Sequence, residues 1–279
     1  MVKTELIQLA QKILKQLGWY SGAVDGSAGP KTADSVSRSG LLIGVPDADS
    51  WPVERRAVAF VQAYAHKMGL EAGPVDGLAG PQTLFVAEQL EELDKTGDFP
   101  KLTRDDIAAP LDVTSRPVVS ANPNNWPKMD EKSMTAFYGK VGMRQVTLEL
   151  PYPMRLAWDK KVIVVEITCH ERVKESLKRV LTQVLAAYGL PKIKEMGLDL
   201  FGGCLNVRKQ RGGSNWSIHS WGAAIDIDPE RNQLKWKRDR ATLDNPEYDK
   251  WWEIWEKEGW VSLGRLKNYD WMHIQAAKL

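Results

Sequence analysis

Four histidines and two cysteines are the residues of this chain best suited to metal or nucleophilic chemistry, and two of the histidines keep suggestive company. Ala223-Ala-Ile-Asp-Ile-Asp228 reads as a short strand, with Ile225 and Ile227 on one face and Ala224, Asp226 and Asp228 on the other. Trp271-Met-His-Ile-Gln275 alternates in the same way, Met272 and Ile274 opposite Trp271, His273 and Gln275. If the isoleucine faces pack into a core, Asp226 and His273 emerge together on the other side, and His219 arrives from the loop just before. Two imidazoles and one carboxylate are a zinc set that leaves one position for water, as a catalytic site requires. Asp270, three residues before His273, is then placed to act as general base on that water without being a ligand. The spacing by itself fits equally well a surface histidine, a buried histidine and ordinary strand-edge carboxylates, since His and Asp are common zinc ligands without being diagnostic.

The remaining reactive residues read more plainly. His66 falls on an amphipathic helix and is expected at the surface or in packing. His170 lies beside Cys169 at a strand end, which suggests a metal pair but supplies no third ligand, so a structural role is expected. Cys169 and Cys204 have no C-x-x-C partner and do not make a disulfide framework in a chain of 279 residues. Two buried free thiols are expected.

The elements that must position these groups begin with a repeat. Gly18 to Thr32 aligns with Gly69 to Thr83 at an offset of 51, with nine of fifteen positions identical. Each copy follows an amphipathic helix. Leu6, Ile7, Leu9, Ala10, Ile13, Leu14 and Leu17 make the first apolar stripe; Ala57, Phe60, Val61, Tyr64, Ala65 and Met68 make the second. Gly18 and Gly69 suit helix C-terminal caps, Asp25-Gly26 and Asp76-Gly77 suit turns, and Pro30 and Pro81 suit the first position of a following helix. The repeated unit is therefore helix, glycine-rich loop, helix. Residues 96–127 carry five prolines, from Pro100 to Pro127, and read as a partly extended linker. From residue 128 strands and helices mix. Val162–Ile167 reads as a buried strand, Val173 to Tyr188 as a helix stopped by Gly189 and Pro191, and Asn245–Gly259 as a helix burying Tyr248, Trp251, Trp252 and Trp255.

Composition narrows the classes. The hydrophobic fraction of 43% is that of an ordinary globular protein, and no apolar run approaches the ~20 residues of a membrane span, so membrane insertion is not expected. The N-terminus runs straight into the first amphipathic helix with no small-residue cleavage site, so no secretory signal is expected. Residues 127–279 carry 26 Lys and Arg against 20 Asp and Glu, whereas residues 1–126 carry 12 against 16. A mildly basic half suits an anionic wall or nucleic acid alike. Arg208, Lys209, Arg211 and the Lys235–Arg240 run belong to no recognised nucleic-acid motif, and no nucleic-acid partner is expected.

Two resemblances add to this reading. The doubled V-D-G-x-A-G-P-x-T pattern, across about residues 4–95, resembles the peptidoglycan-binding domain found at the ends of many cell-wall hydrolases, although Ser39 to Trp51 separates the two copies more widely than is usual there. Ser217-Ile-His219-Ser-Trp-Gly222-Ala-Ala224-Ile-Asp226, followed by Asp270-Trp-Met-His273-Ile-Gln275, resembles the S-x-H-x-x-G-x-A-x-D and D-x-x-H signature of the M15 metallopeptidases. This group holds D-alanyl-D-alanine carboxypeptidases and phage L-alanyl-D-glutamate endopeptidases. The resemblance implies that His219, Asp226 and His273 bind Zn2+ and that Asp270 is the catalytic base; it places the ligand at 226 rather than at the competing Asp228. Phe201-Gly-Gly-Cys-Leu-Asn-Val-Arg208-Lys-Gln-Arg211 resembles the segment that supplies an arginine to the substrate carbonyl. Arg208 fits that role better than Arg211, a solvated basic loop being the alternative.

Together the resemblances imply two domains: an all-α peptidoglycan-binding domain (1–95), then, after the linker (96–127), an α+β zinc peptidase with a small antiparallel sheet (128–279). The arrangement resembles a phage endolysin, made in the host cytoplasm and acting as a monomer on bacterial peptidoglycan in the periplasm after release. L-alanyl-D-glutamate endopeptidase action is the expectation, with D-alanyl-D-alanine carboxypeptidase or a non-catalytic wall-binding protein as alternatives.

Overall fold

The computed structural model describes residues 3–99, 111, 118, 121–210 and 215–279. The chain forms two compact units, Met1–Lys101 and Leu102–Leu279. No helix among the described residues is long and apolar enough to cross a membrane.

The first unit contains helices α1 (Lys3–Gln16), α2 (Pro30–Arg38), α3 (Val53–Lys67) and α4 (Pro81–Thr96). Both repeat copies contribute to one apolar core, in which Leu6, Ala10, Leu14, Phe60, Val61 and Val86 are buried. Leu17, expected in the first stripe, lies past the end of α1 and is exposed. Pro30 and Pro81 start α2 and α4, and Gly18 and Gly69 take the left-handed conformation after α1 and α3.

What the repeat encodes is a buried amide. The Gln11 side chain donates to Asp25 Oδ1 (3.0 Å), the Ser27 carbonyl (3.0 Å) and Thr32 Oγ1 (3.2 Å), while its Oε1 accepts from the backbone of Asp25 and Gly26. Fifty-one residues on, Gln62 repeats the set with Asp76, Leu78, Thr83 and the backbone of Asp76 and Gly77. The Asp, Gly and Thr of the motif thus close the loop onto its own helix. Glycine is required at the turn: a Cβ on Gly26 would lie 2.5 Å from Thr4, and one on Gly77 2.4 Å from the Arg55 carbonyl.

The second unit is built on a six-stranded sheet in the order β2-β1-β3-β4-β6-β5, where β1 is Gln145–Leu156, β2 Asp159–His170, β3 Leu200–Gly203, β4 Ala224–Ile227, β5 Val261–Ser262 and β6 His273–Gln275. It is neither small nor purely antiparallel, contrary to the sequence expectation, because β1 and β3 pair in parallel. A parallel pair needs a crossover, and α6 (Glu171–Met196) provides it. This helix runs from the His170 end of the β1–β2 hairpin back toward Arg155, so β3 enters beside β1 in the same direction. The expected stop at Gly189 is a break in α6, where φ is 69° and ψ 158°. Shorter helices α5 (Glu131–Tyr138), α7 (Asp249–Lys257) and α8 (Leu263–Lys267) complete the unit.

Val162–Ile167 is part of β2 but is not buried as expected: Val162, Ile163 and Val165 are exposed, because β2 is an edge strand of which Val164, Ile167 and Cys169 pack on the core. That core carries Trp221, Trp251, Trp252, Trp255, Trp260 and Trp271, all buried. Of the stretch expected as linker, Pro100, Pro110 and Pro117 lie outside the described residues. Trp126 is buried in the second unit's core, and Trp126 and Asn124 both donate to the Glu258 carbonyl, at 3.2 and 2.8 Å.

The amide hubs yield a stability test. Gln62→Leu leaves the Asp76 and Gly77 backbone N–H groups without their acceptor, at about 1–3 kcal/mol for each buried group left unsatisfied, while the Thr83 hydroxyl keeps its bond to the Leu78 carbonyl. Thermal melts should show a loss of several degrees or more, whereas a substitution on the exposed face of α3, Lys67→Ala, should leave the melt unchanged. Equal melts for Gln62→Leu and wild type would remove the hub from this account.

Candidate metal centre

β4 and β6 pair antiparallel with Ala224 opposite Gln275, Ile225 opposite Ile274 and Asp226 opposite His273. Directly opposed residues share a sheet face, so the register alone brings the carboxylate and the imidazole together. The neighbouring strand β3 passes so close that a Cβ on Gly202 would sit 2.9 Å from Asp226 Cβ, which is why glycine stands there.

His219 comes from a 3-10 turn, Ile218–Trp221, closed by Gly222 at φ 63°. Gly222 cannot be replaced cheaply, since a Cβ would meet Gln145 Oε1 at 2.3 Å and the His170 backbone nitrogen at 2.9 Å. Ser220 locks the turn to the preceding loop: its hydroxyl donates to the Arg208 carbonyl (2.7 Å) and accepts from the Arg208 N–H (3.0 Å).

The three side chains converge on one point. His219 Nε2 lies 3.1 Å from Asp226 Oδ1 and 3.1 Å from His273 Nδ1, and His273 Nδ1 lies 3.1 Å from the same Oδ1. Among the described residues they form the three-membered group able to hold a metal ion. All three are buried. His219 Nδ1 is 2.7 Å from the Cys204 carbonyl, which can only accept, so the proton sits on Nδ1 and the Nε2 lone pair faces the centre. His273 places its Nε2 3.1 Å from Gln275 Oε1 and turns Nδ1 inward. Two nitrogen lone pairs and an anionic oxygen thus face one another at a mutual 3.1 Å, an arrangement that needs a cation between them. Tetrahedral zinc with bonds of about 2.0–2.1 Å separates neighbouring ligands by roughly 3.3 Å, close to this triangle. The donor set fits the ion.

The electrostatics agree. Burial favours neutral Asp226, but the His219 and His273 imidazoles outweigh it and hold the carboxyl well below its ordinary range. Burial pulls His219 down, only partly offset by Asp226, so this ring is neutral and free to ligate. For His273 burial acts in the same direction, yet the hydrogen bond and charge of Asp226, with Asp270 beyond, raise it.

Asp270 and Arg208 line the same cavity as His219, Asp226 and His273, together with Met129, Gln210, Leu234 and Met272. Asp270 sits in a left-handed turn at φ 55°, its N–H donating to the Leu234 carbonyl (3.1 Å) and its carbonyl accepting from the His273 N–H (3.0 Å). Arg211 lies outside the described residues. Asp228 is not part of the group: β4 ends at Ile227, and Asp228 turns away at φ 52° to accept from Arg231 (2.7 Å) and Asn232 (3.3 Å). His170 caps α6, accepting from the Arg172 N–H at Nδ1 and donating from Nε2 to the Tyr138 carbonyl. His66 is exposed, 2.7 Å from the Gly73 carbonyl, and both cysteines are free and buried. Sequence reading gave no role to Gln275 or to the Cys204 carbonyl. Gln275 was legible in principle, being two residues from His273 on the same strand face.

Asp226 and Asp228 are separable by experiment. Asp226→Asn and His219→Ala should lose zinc on metal analysis, while Asp228→Asn should keep about one ion per chain. Burial raises the Asp228 carboxyl from 3.8 to about 6. The folded state therefore favours the protonated acid, a contribution fully present below about pH 4 and lost as pH rises through 6, worth up to roughly 3 kcal/mol. The wild-type melt should fall relative to Asp228→Asn across that window. Zinc loss in Asp228→Asn, or parallel melts, would contradict the structural role.

Neither the curated proteins nor the solved structures compared with this chain match it. Residues 211–276, which hold His219, Asp226, His273 and Asp270, match the M15 peptidase family model described as D-alanyl-D-alanine carboxypeptidase.

Proposed function

We propose that this protein is a zinc-dependent peptidoglycan hydrolase of the endolysin type, cutting the stem peptides of the wall between L-Ala and D-Glu. The observation that carries the proposal is the buried triangle of His219 Nε2, Asp226 Oδ1 and His273 Nδ1 at the floor of a cavity that Asp270 and Arg208 also line. The peptidase match over residues 211–276 supports the reaction class. Zinc, when bound, supplies Lewis acidity toward water and the scissile carbonyl. Asp270 takes the proton of the attacking water and returns it to the leaving amine. Arg208, its backbone tied to Ser220 beside His219 and its guanidinium donating to the Lys209 carbonyl (3.0 Å), supplies the positive charge of the cavity lining for the oxyanion that forms as the amide carbon becomes tetrahedral.

The choice of bond rests on the N-terminal repeat, whose resemblance to wall-binding domains supports a substrate that is the intact wall. Lysis requires cutting stems that bear cross-links, and removal of a terminal D-Ala leaves the mesh whole. The carboxypeptidase reading is favoured by the description of the matching family and is the alternative. In the endolysin reading the protein is made in the cytoplasm, reaches the wall after membrane damage and works as a monomer, with residues 1–95 holding it to the wall.

Mass spectrometry of digested sacculi separates these readings. New D-Glu amino termini are expected; release of D-Ala alone would overturn endopeptidase action. Asp270→Asn should retain zinc and lose on the order of 10²–10⁴-fold in turnover, the usual worth of a general base. Loss of the metal in that variant would make Asp270 a ligand and unseat the assignment.

A further inference from the structure

Gln275 makes a chain of contacts that fixes which nitrogen of His273 faces the centre. Its side chain is buried, 1% exposed, two residues beyond His273 on β6. The amide Nε2 lies 3.0 Å from the Ala277 carbonyl and the amide Oε1 3.1 Å from His273 Nε2. A backbone carbonyl can only accept, so the –NH2 end of Gln275 must face Ala277 and the carbonyl end must face the ring. The ring then has to carry its proton on Nε2, which leaves the Nδ1 lone pair pointing at Asp226 Oδ1 and His219 Nε2, each 3.1 Å away. With the opposite tautomer, a proton on Nδ1 would occupy the place of the ion and two acceptors would oppose each other at Nε2. The Ala277 carbonyl is itself held in place at the end of the chain, where the neighbouring Ala276 N–H donates to Ala223 (2.9 Å) and Lys278 N–H to Pro127 (2.8 Å).

From this geometry we infer that Gln275 is a positioning residue for the metal: it reads its own orientation from the Ala277 carbonyl and imposes the Nε2–H tautomer on His273. The Cys204 carbonyl does the converse for His219, selecting Nδ1–H, so the two histidines present opposite nitrogens to one ion. Fixing tautomer and ring orientation through the second nitrogen typically changes metal affinity 10–100-fold. The inference rests on the metal-site reading of the previous subsection.

The test uses the full chain and Zn2+ alone, titrated against a chromophoric chelator. Gln275→Met keeps the length of the side chain and removes the amide oxygen; its zinc affinity should fall 10–100-fold. Gln275→Glu loses the donor to Ala277 but retains an acceptor for His273, and should bind zinc within about threefold of wild type, well inside the range set by removal of such a partner. Nitrogen-15 NMR of the zinc-loaded wild-type protein should show His273 protonated at Nε2, with Nδ1 as the nitrogen that meets the ion. Wild-type affinity in Gln275→Met overturns the inference. So does a fall in Gln275→Glu equal to that of Gln275→Met, because the lost contact with Ala277 would then be what matters. An Nδ1–H tautomer in the wild type overturns it independently of how either variant folds. A wild-type protein that binds no zinc would instead sink the metal reading itself, so the two failures are distinguishable.

Discussion

The cross-strand pair Asp226–His273 is the constraint on which the second unit depends. An ionised carboxylate and two imidazoles buried on one sheet face cost several kcal/mol unless something positive joins them. The fold nevertheless places all three there, their donor atoms within 3.1 Å of one another, and spends glycines at 202 and 222 to let backbone close around them. Around that centre each ring is held from behind by an acceptor, the Cys204 carbonyl for His219 and the Gln275 amide for His273.

The first unit solves the same problem with neutral groups. Gln11 and Gln62 are buried, and each is saturated by the loop it organises, so an amide in an apolar core becomes a template for two backbone turns. The repeated Asp and Thr therefore serve the loop's own geometry.

The convergence of the candidate site is more legible in the sequence than the architecture is. Alternation along 223–228 and 271–275 predicts the faces of β4 and β6, and the observed register sets Asp226 against His273 as that alternation allows. Alternation could not place the strand's end, so Asp228 looked equivalent to Asp226 until the left-handed turn at 228 took it off the face. The apolar run Val162–Ile167 carries no mark that distinguishes a central strand from an edge, and it lies at the edge with Val162, Ile163 and Val165 exposed. The parallel pairing of β1 with β3 depends on where a 26-residue helix delivers the chain, a long-range fact that no local pattern encodes. Gln11 and Gln62 were within reach of sequence reading, since the offset of 51 superposes them. Apolar periodicity marks the stripe of each helix and carries no signal for the one polar residue inside it.

The central claim is that one metal ion joins His219, Asp226 and His273, each through the atom that now faces the centre. A crystal grown with zinc and measured at the zinc absorption edge tests it directly. One anomalous peak is expected at about 2.0–2.1 Å from His219 Nε2, Asp226 Oδ1 and His273 Nδ1 together. The absence of a peak there, or a peak on Asp228 or the Cys169–His170 pair, would contradict it.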